Sequence, residues 1–383
     1  MNTSQKTKRI GIDARFYGPV GKGLGRYTQE IVDNIIKLDQ DNEYVIFLRR
    51  ENFNEFQADE KRVKKVLADV RWYSLAEQIL MPYYIRRERL DLMHFPHFNV
   101  PVLCPVKFIV TIHDLILIKF PTSRATALGP VFYKMKNLAY RVVISLAVKR
   151  AEKVLTVSAY TKDEIAKQFK INSNKVTVTY EGVAELADAN EFMDAGAALS
   201  KYGISQPYLL YVGNAYPHKN LEGLIKVFSE INKSLPDLKL VLVGKEDYFY
   251  RRLKQYAENF FAEGGQIIFP GYVPDNELAA LYANAALYVF PSFYEGFGLP
   301  PLEAMARGLP VASSNKTCLK EILGEAALYF NPDDETDMKN KIERALKDEK
   351  LRENLRNRGY EQARKYSWRD CAEKTLAAYK NCL

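Results

Sequence analysis

Short apolar runs alternate along the chain with longer stretches whose apolar residues recur every three or four positions. Ile10-Gly-Ile-Asp-Ala14, Tyr44-Val-Ile-Phe-Leu48, Leu92-Met-His-Phe95, Phe108-Ile-Val-Thr-Ile112, Lys153-Val-Leu-Thr-Val157 and Val176-Thr-Val-Thr-Tyr180 read as strands. Between the first two, Arg26 to Leu38 sets Tyr27, Ile31, Ile35 and Leu38 on one helical face. The alternation predicts an α/β chain with a doubly wound parallel sheet.

The pattern restarts at Tyr208-Leu-Leu-Tyr-Val212. A helix over 221–235 and a strand over 238–243 follow. Helices near 248–262 and 275–284 bracket a strand at 266–269. Further strands are expected at Pro310–Ser313 and Ala327–Phe330. Two domains of similar size result, residues 1–185 and 186–365, with the polar stretch 185–205 as linker. Ser367 is a good N-cap for a last helix over 366–383.

The stretch Glu295-Gly-Phe-Gly-Leu-Pro-Pro-Leu-Glu303 holds the strongest chemical signal. The apolar run Ala285–Ser292 before it reads as a buried parallel strand. After it Pro301 suits a first helical position, and Gly308 suits a C-cap. The loop thus joins a strand's carboxyl end to a helix's amino end, where open parallel sheets bind ligands and helix dipoles attract phosphate. An acid there would repel phosphate, so Glu303 is expected to turn toward hydroxyls, as an acid does toward ribose, and Glu295 toward a second hydroxylated group. The competing reading makes Glu303 a partner of the helix dipole and Glu295 a solvated surface acid.

Charge and cysteine content narrow the setting. The formal net charge is +8. The basic excess lies in residues 1–185, and the remainder is slightly acidic. Anionic lipid or a phosphorylated acceptor would suit the first half, and scattered Lys61, Arg62, Lys64 and Lys65 could equally solvate a helix face. No nucleic-acid motif accompanies the charge. Arg124 to Arg150 mixes basic, aromatic and aliphatic residues, suiting a membrane surface, an acceptor cover or a half-buried helix. No apolar run is long enough to span a bilayer, no signal peptide is recognised, and four cysteines form no C-x-x-C pair, so a cytoplasmic protein with reduced thiols is expected.

These residues bring a family into view. Glu295 to Glu303 resembles the E-x7-E motif of retaining family-four glycosyltransferases, including Pro291-Ser292 before it and Gly308-Leu-Pro-Val311 after it. Asp13-Ala-Arg15, Gly25-Arg-Tyr27, Met93-His-Phe-Pro-His97, Val110-Thr-Ile-His-Asp114 and Ser158-Ala-Tyr-Thr-Lys162 match the same family along the first half. The resemblance implies the GT-B fold: two Rossmann-like domains facing across a cleft, with the last helix crossing back to the N-terminal domain.

It also implies roles. Glu295 would hold donor-sugar hydroxyls, Lys219 would offset the leaving diphosphate, and His113 would reach the transferred sugar. Donor contacts would come from Gly23, Gly213, Asn214, His218, Lys245, Tyr272, Val273, Gly296, Phe297, Gly298, Leu299 and Glu303. Asp13, Arg15, Tyr27 and His94 would border the acceptor. The family usually adds an Arg to Lys219, but Asn214 and His218 stand here, and His218 is expected to supply partial positive charge. No metal or cofactor is expected beyond a nucleotide-sugar donor, GDP-mannose or a UDP-hexose. The acceptor would be a glycan or lipid-linked, with peripheral contact to an anionic membrane as an option. The activity implied is transfer of a hexose, mannose as first choice, in cell-surface polysaccharide biosynthesis. Rivals are a catalytically silent sugar-nucleotide-binding subunit and a sugar-nucleotide epimerase on the same fold. On residues alone, a lone His at a strand end is often structural, and Gly21-x-Gly23-x-Gly25 is a weak signal that lacks the dinucleotide spacing.

Overall fold

Runs apolar on both faces become interior parallel strands. Tyr44 to Leu48 is buried at every position, as is Phe108 to Ile112. The computed structural model describes residues 7–58, 61–121, 130–183, 195–261 and 265–383. In chain order the first elements are β1 (Arg9–Asp13), α1 (Lys22–Leu38), β2 (Glu43–Leu48), β3 (Val63–Leu67), α2 (Leu75–Arg87), β4 (Leu92–Phe95) and β5 (Phe108–Ile112). Then come α3 (Ile116–Lys119), α4 (Pro130–Arg150), β6 (Lys153–Thr156), α5 (Ala159–Phe169) and β7 (Val176–Val178). The second series is α6 (Ala195–Lys201), β8 (Tyr208–Val212), α7 (Leu221–Asn232), β9 (Lys239–Val243), α8 (Tyr248–Glu258), β10 (Ile267–Gly271), α9 (Asp275–Asn284) and β11 (Leu287–Phe290). It ends with α10 (Leu299–Ala306), β12 (Val311–Ser314), α11 (Leu319–Leu323), β13 (Ala327–Phe330), α12 (Glu335–Lys347), α13 (Glu349–Ala363) and α14 (Trp368–Lys380).

Two compact units result. One takes in Met1–Lys119, Leu128–Gly182 and Ser367–Leu383, the other Phe120–Ala127 and Val183–Tyr366. The first sheet runs β3-β2-β1-β4-β5-β6-β7 and the second β10-β9-β8-β11-β12-β13, all parallel. In each, the order reverses once, between β1 and β4 and between β8 and β11. Such a switch point leaves a crevice at the strands' carboxyl ends.

The last helix belongs to the first unit. The Ser367 hydroxyl caps it by accepting from the Asp370 amide at 3.0 Å, a contribution of about 1 kcal/mol. Its buried face, with Trp368, Ala372 and Tyr379, lies on α1. Trp368 meets Tyr27 edge-on at 5.9 Å, and the Tyr379 hydroxyl lies 2.6 Å from His94 Nδ1.

Several elements depart from expectation. The basic stretch at Lys61 to Lys65 is not on a helix: Val63–Leu67 is the outer strand β3, paired with β2. Lysines on an edge strand deter further pairing, and Lys64 here also meets Glu88 at 2.6 Å. Of the glycine segment 21–25, Gly21 ends a 3-10 turn and Lys22–Gly25 open α1 rather than a free loop, and Gly25 lies so close to the preceding turn that a Cβ would stand 2.0 Å from the Gly18 carbonyl. α10 starts at Leu299, so Pro301 sits inside its first turn. The helix after β8 ends at Asn232, the one after β9 at Glu258, and β7 stops at Val178. Within the expected linker, residues 184–194 lie outside the described residues, and Ala195–Lys201 is helical. Of Arg124 to Arg150, residues 124–129 also lie outside them. The rest is α4, with Ile144, Ala147 and Val148 buried and Met135, Leu138 and Val142 exposed. Among the described residues no helix is long and apolar enough to cross a membrane.

Candidate functional site

The second unit's switch point lies between β8 and β11, and the loops leaving these two strands carry Lys219 and Glu295. The first loop turns through Gly213 and a single 3-10 turn, Pro217–Lys219, into α7. The second runs from Pro291 to Gly298 and enters α10. The fold brings the two side chains together: Lys219 Nζ donates to Glu295 Oε1 at 2.6 Å. Both are largely buried, with side-chain exposures of 13% and 9%. Lys219 Nζ also stands 5.5 Å from the centre of the Phe290 ring, a face that attracts cations.

The acidic loop is fixed from behind. The Glu295 amide donates to Thr317 Oγ1 at 3.2 Å, and the buried Cys318 thiol donates to the carbonyls of Glu295 and Phe297. Thr317 is β-branched yet has φ 53°, a conformation such residues avoid unless their surroundings impose it. Gly298 at φ 100° closes the loop, since a Cβ there would lie 2.8 Å from Leu319. The Phe293 amide donates to the His218 carbonyl at 2.8 Å, joining the two loops through backbone as well.

The remaining donor-side positions spread along the same strand ends. Gly213 lies just past β8, and the Asn214 carbonyl accepts from the Tyr211 hydroxyl. Lys245 is exposed just past β9. Tyr272 is exposed and Val273 buried just past β10. Gly296 and Phe297 are buried, and Leu299 opens α10. Glu303 is buried in α10. Gly23 belongs to the first unit, exposed in the first turn of α1 with open space around it.

His218 departs from its expected role. Burial, then the neighbouring Lys219 charge, push its pKa down to about 4 against the pull of Glu295. The ring is therefore neutral near pH 7 and adds no positive charge beside Lys219.

In the first unit the strand ends carry His113 just beyond β5. Its Nε2 lies 2.9 Å from the Pro96 carbonyl and its Nδ1 3.3 Å from Glu181 Oε1, while Tyr27 meets the ring edge-on at 4.4 Å. Burial favours the neutral ring, but the hydrogen bond and charge of Glu181, the Pro96 carbonyl and Asp114 outweigh it, so the pKa is raised. The sign is then fixed: protonation of His113 stabilises the fold fully below its ordinary pKa, about 6.5, and this contribution is lost as pH rises through the raised value. Glu181→Gln should move the His113 titration, followed by NMR, to lower pH. Its melting deficit against wild type should be largest near pH 6 and shrink in mildly alkaline buffer. An unmoved titration would refute the coupling.

The four positions expected to border an acceptor are interior. Arg15 is fully buried, donating to Asp13 at 2.7 Å and to Glu77 at 2.6 Å. Tyr27 bonds Thr111 at 3.3 Å. His94 lies between Tyr379 and Thr111, and burial lowers its pKa to about 3. Asp13, Arg15, Tyr27 and His94 are thus buried, with their polar groups engaged by protein partners. A buried arginine needs paired carboxylates, and both are present.

Sequence reasoning missed Glu181, Thr317, Cys318 and Glu77. Glu181 alone carried a signal, an acid just past a strand end.

The sheets and their order recur in known proteins. The Glycosyltransferase Family 4 profile matches residues 21–185, and the Glycosyl transferases group 1 profile matches residues 200–362. The chain is 32% identical to O-antigen chain mannosyltransferase B of Escherichia coli over 94% of its own length and 96% of the relative's. Two solved structures share the fold. Sucrose-phosphate synthase from Thermosynechococcus elongatus has TM-score 0.75 and 20% identity, with 98% of each chain covered. WaaG, a glycosyltransferase involved in lipopolysaccharide biosynthesis, has TM-score 0.74 and 15% identity, covering 96% of this chain and 99% of its own. Sequence similarity across both units, two parallel sheets of matching strand order and an acid–lysine pair at the switch point together make this chain a glycosyltransferase of family 4, built on the GT-B fold.

Proposed function

We propose that the protein transfers mannose from GDP-mannose, with retention of anomeric configuration, to a glycan or lipid-linked acceptor in cell-surface polysaccharide synthesis. The observation that carries this reading is the largely buried Lys219–Glu295 pair at the second unit's switch point. A donor diphosphate competes for the Lys219 ammonium. The released Glu295 carboxylate then accepts hydrogen bonds from the sugar hydroxyls. As the bond between the anomeric carbon and the phosphate oxygen breaks, charge builds on the diphosphate. Lys219 and the positive end of the α10 dipole meet it. The acceptor oxygen bonds to the same face of the anomeric carbon, and its proton passes to the departing phosphate oxygen. Glu303 takes the ribose hydroxyls and His113 the transferred sugar. The choice of mannose rests on the name of the Escherichia coli relative.

Thermal melting with a panel of nucleotide sugars tests the donor. A ligand that binds only the folded state at about a hundred times its dissociation constant stabilises by roughly 2.7 kcal/mol. GDP-mannose should raise the melting temperature well above the rise given by UDP-glucose or UDP-galactose. Stabilisation by a UDP-sugar alone would reassign the donor, and none by any nucleotide sugar would refute the reading.

A further inference from the structure

The first unit has its own switch point, between β1 and β4, and aromatic side chains crowd it. Phe16 follows β1, His97 and Phe98 follow β4, and Trp72 and Tyr73 arrive on the loop after β3. Phe16 stacks on Trp72 with centroids 4.3 Å apart and planes 4° apart. His97 meets Phe16 at 5.6 Å and Tyr73 at 6.1 Å. Tyr73 lies over Phe98 at 5.6 Å and 24°. Most of this cluster is packed away, but Tyr73 is 54% exposed. A large ring left in water at the ligand-binding end of a parallel sheet calls for a reason.

The backbone sharpens the point. Tyr73 has φ 58°, a left-handed conformation that is a true outlier for a bulky residue. Its amide donates to Glu77 Oε2 at 2.9 Å. The other Glu77 oxygen accepts from Arg15 at 2.6 Å and from Asn99 at 2.8 Å. Arg15 is in turn held by Asp13. A fully buried ionic network thus ends on the one amide that holds an exposed ring in a strained pose. Strain of this kind persists where the surroundings over-determine it, and it gathers at ligand clamps.

We propose that Tyr73, backed by Phe98, is a stacking platform for a pyranose ring of the acceptor glycan. The proposal rests on the transferase reading above. A sugar presents an apolar C–H face that lies flat on an aromatic ring while its hydroxyls stay in water, which suits a ring that is half exposed. The site sits one ring beyond the reacting side: His97 is 6.2 Å from His113 and 6.1 Å from Tyr73. It therefore serves a sugar further along the acceptor than the one that receives the transfer. Asp13 and Arg15, both buried, act as positioning residues for Tyr73.

The test uses the full chain, GDP-mannose and an α-linked mannotriose as the acceptor probe. Mannotriose binding is measured by titration in the presence of GDP. Tyr73→Phe should bind within twofold of wild type. Tyr73→Ala and Tyr73→Gly should bind about fivefold to tenfold more weakly, the scale of one lost stacking contact. Tyr73→Gly relieves the strained backbone, so it should melt higher than Tyr73→Ala and no lower than wild type, which separates lost binding from lost folding. The stabilisation by GDP-mannose should be equal in all four proteins. Wild-type-like mannotriose binding by Tyr73→Gly overturns the platform. So does a wild type that is stabilised by GDP-mannose but does not bind mannotriose. Absence of any stabilisation by a nucleotide sugar overturns the GDP-mannose reading and the platform with it.

Discussion

Glu295→Gln should lower turnover about a thousandfold while leaving the protein folded. Glutamine keeps the size of the side chain and an oxygen for Lys219, so the loop held by Thr317 and Cys318 should stay in place. The variant loses the negative charge and one acceptor. With them goes the ability to take sugar hydroxyls strongly once the diphosphate has drawn Lys219 away. That interaction grows as the sugar acquires positive character, so kcat should fall while the Michaelis constant for GDP-mannose changes by less than about tenfold. Release of GDP in the presence of mannotriose measures the rate, and thermal melting measures the fold. Glu295→Ala is a poorer probe, because it also leaves a largely buried ammonium without its carboxylate. Wild-type turnover in Glu295→Gln would remove Glu295 from the reaction.

The loop that carries Glu295 was legible because local rules agree there. A continuous apolar run ends in Pro-Ser, glycines follow, and strong helix formers come next. β3 was not legible, since its apolar Val63, Val66 and Leu67 fall at the i, i+3, i+4 spacing of a helix, with Lys64 and Lys65 between them suiting a solvated helix face as well as an edge strand. α2 was hidden by Pro82 in its interior and by exposed Leu75 and Ile79, which blur the helical period. Arg15 and Tyr27 match the family's opening, so a surface role was the natural reading. Their burial depends on Glu77, Thr111 and Trp368, partners that no local pattern brings near. The neutrality of His218 is a tertiary property too: the same residue in an open loop would keep its ordinary titration.

That neutrality concentrates the demand on Lys219. The chain has Asn214 and His218 where a second cation would help, and the 213–220 loop puts the Lys219 ammonium against Glu295. Lys219→Met should therefore cost about 10²–10³ in turnover, because the donor diphosphate loses its nearest fixed charge as it departs. It should also destabilise the fold by about 2 kcal/mol, since the largely buried Glu295 carboxylate is left unpaired. These two effects come apart in the double variant Glu295→Gln/Lys219→Met. Removing both charges removes the unpaired one, so most of the lost melting temperature should return. Activity should not return, and it should lie near that of the slower single variant, as expected of residues that act as one unit. A double variant whose rate loss is the full product of the singles would mean that Lys219 and Glu295 act independently. A Lys219→Met protein that turns over like wild type would move the stabilising charge elsewhere, with exposed Lys245 at the end of β9 the next position to replace.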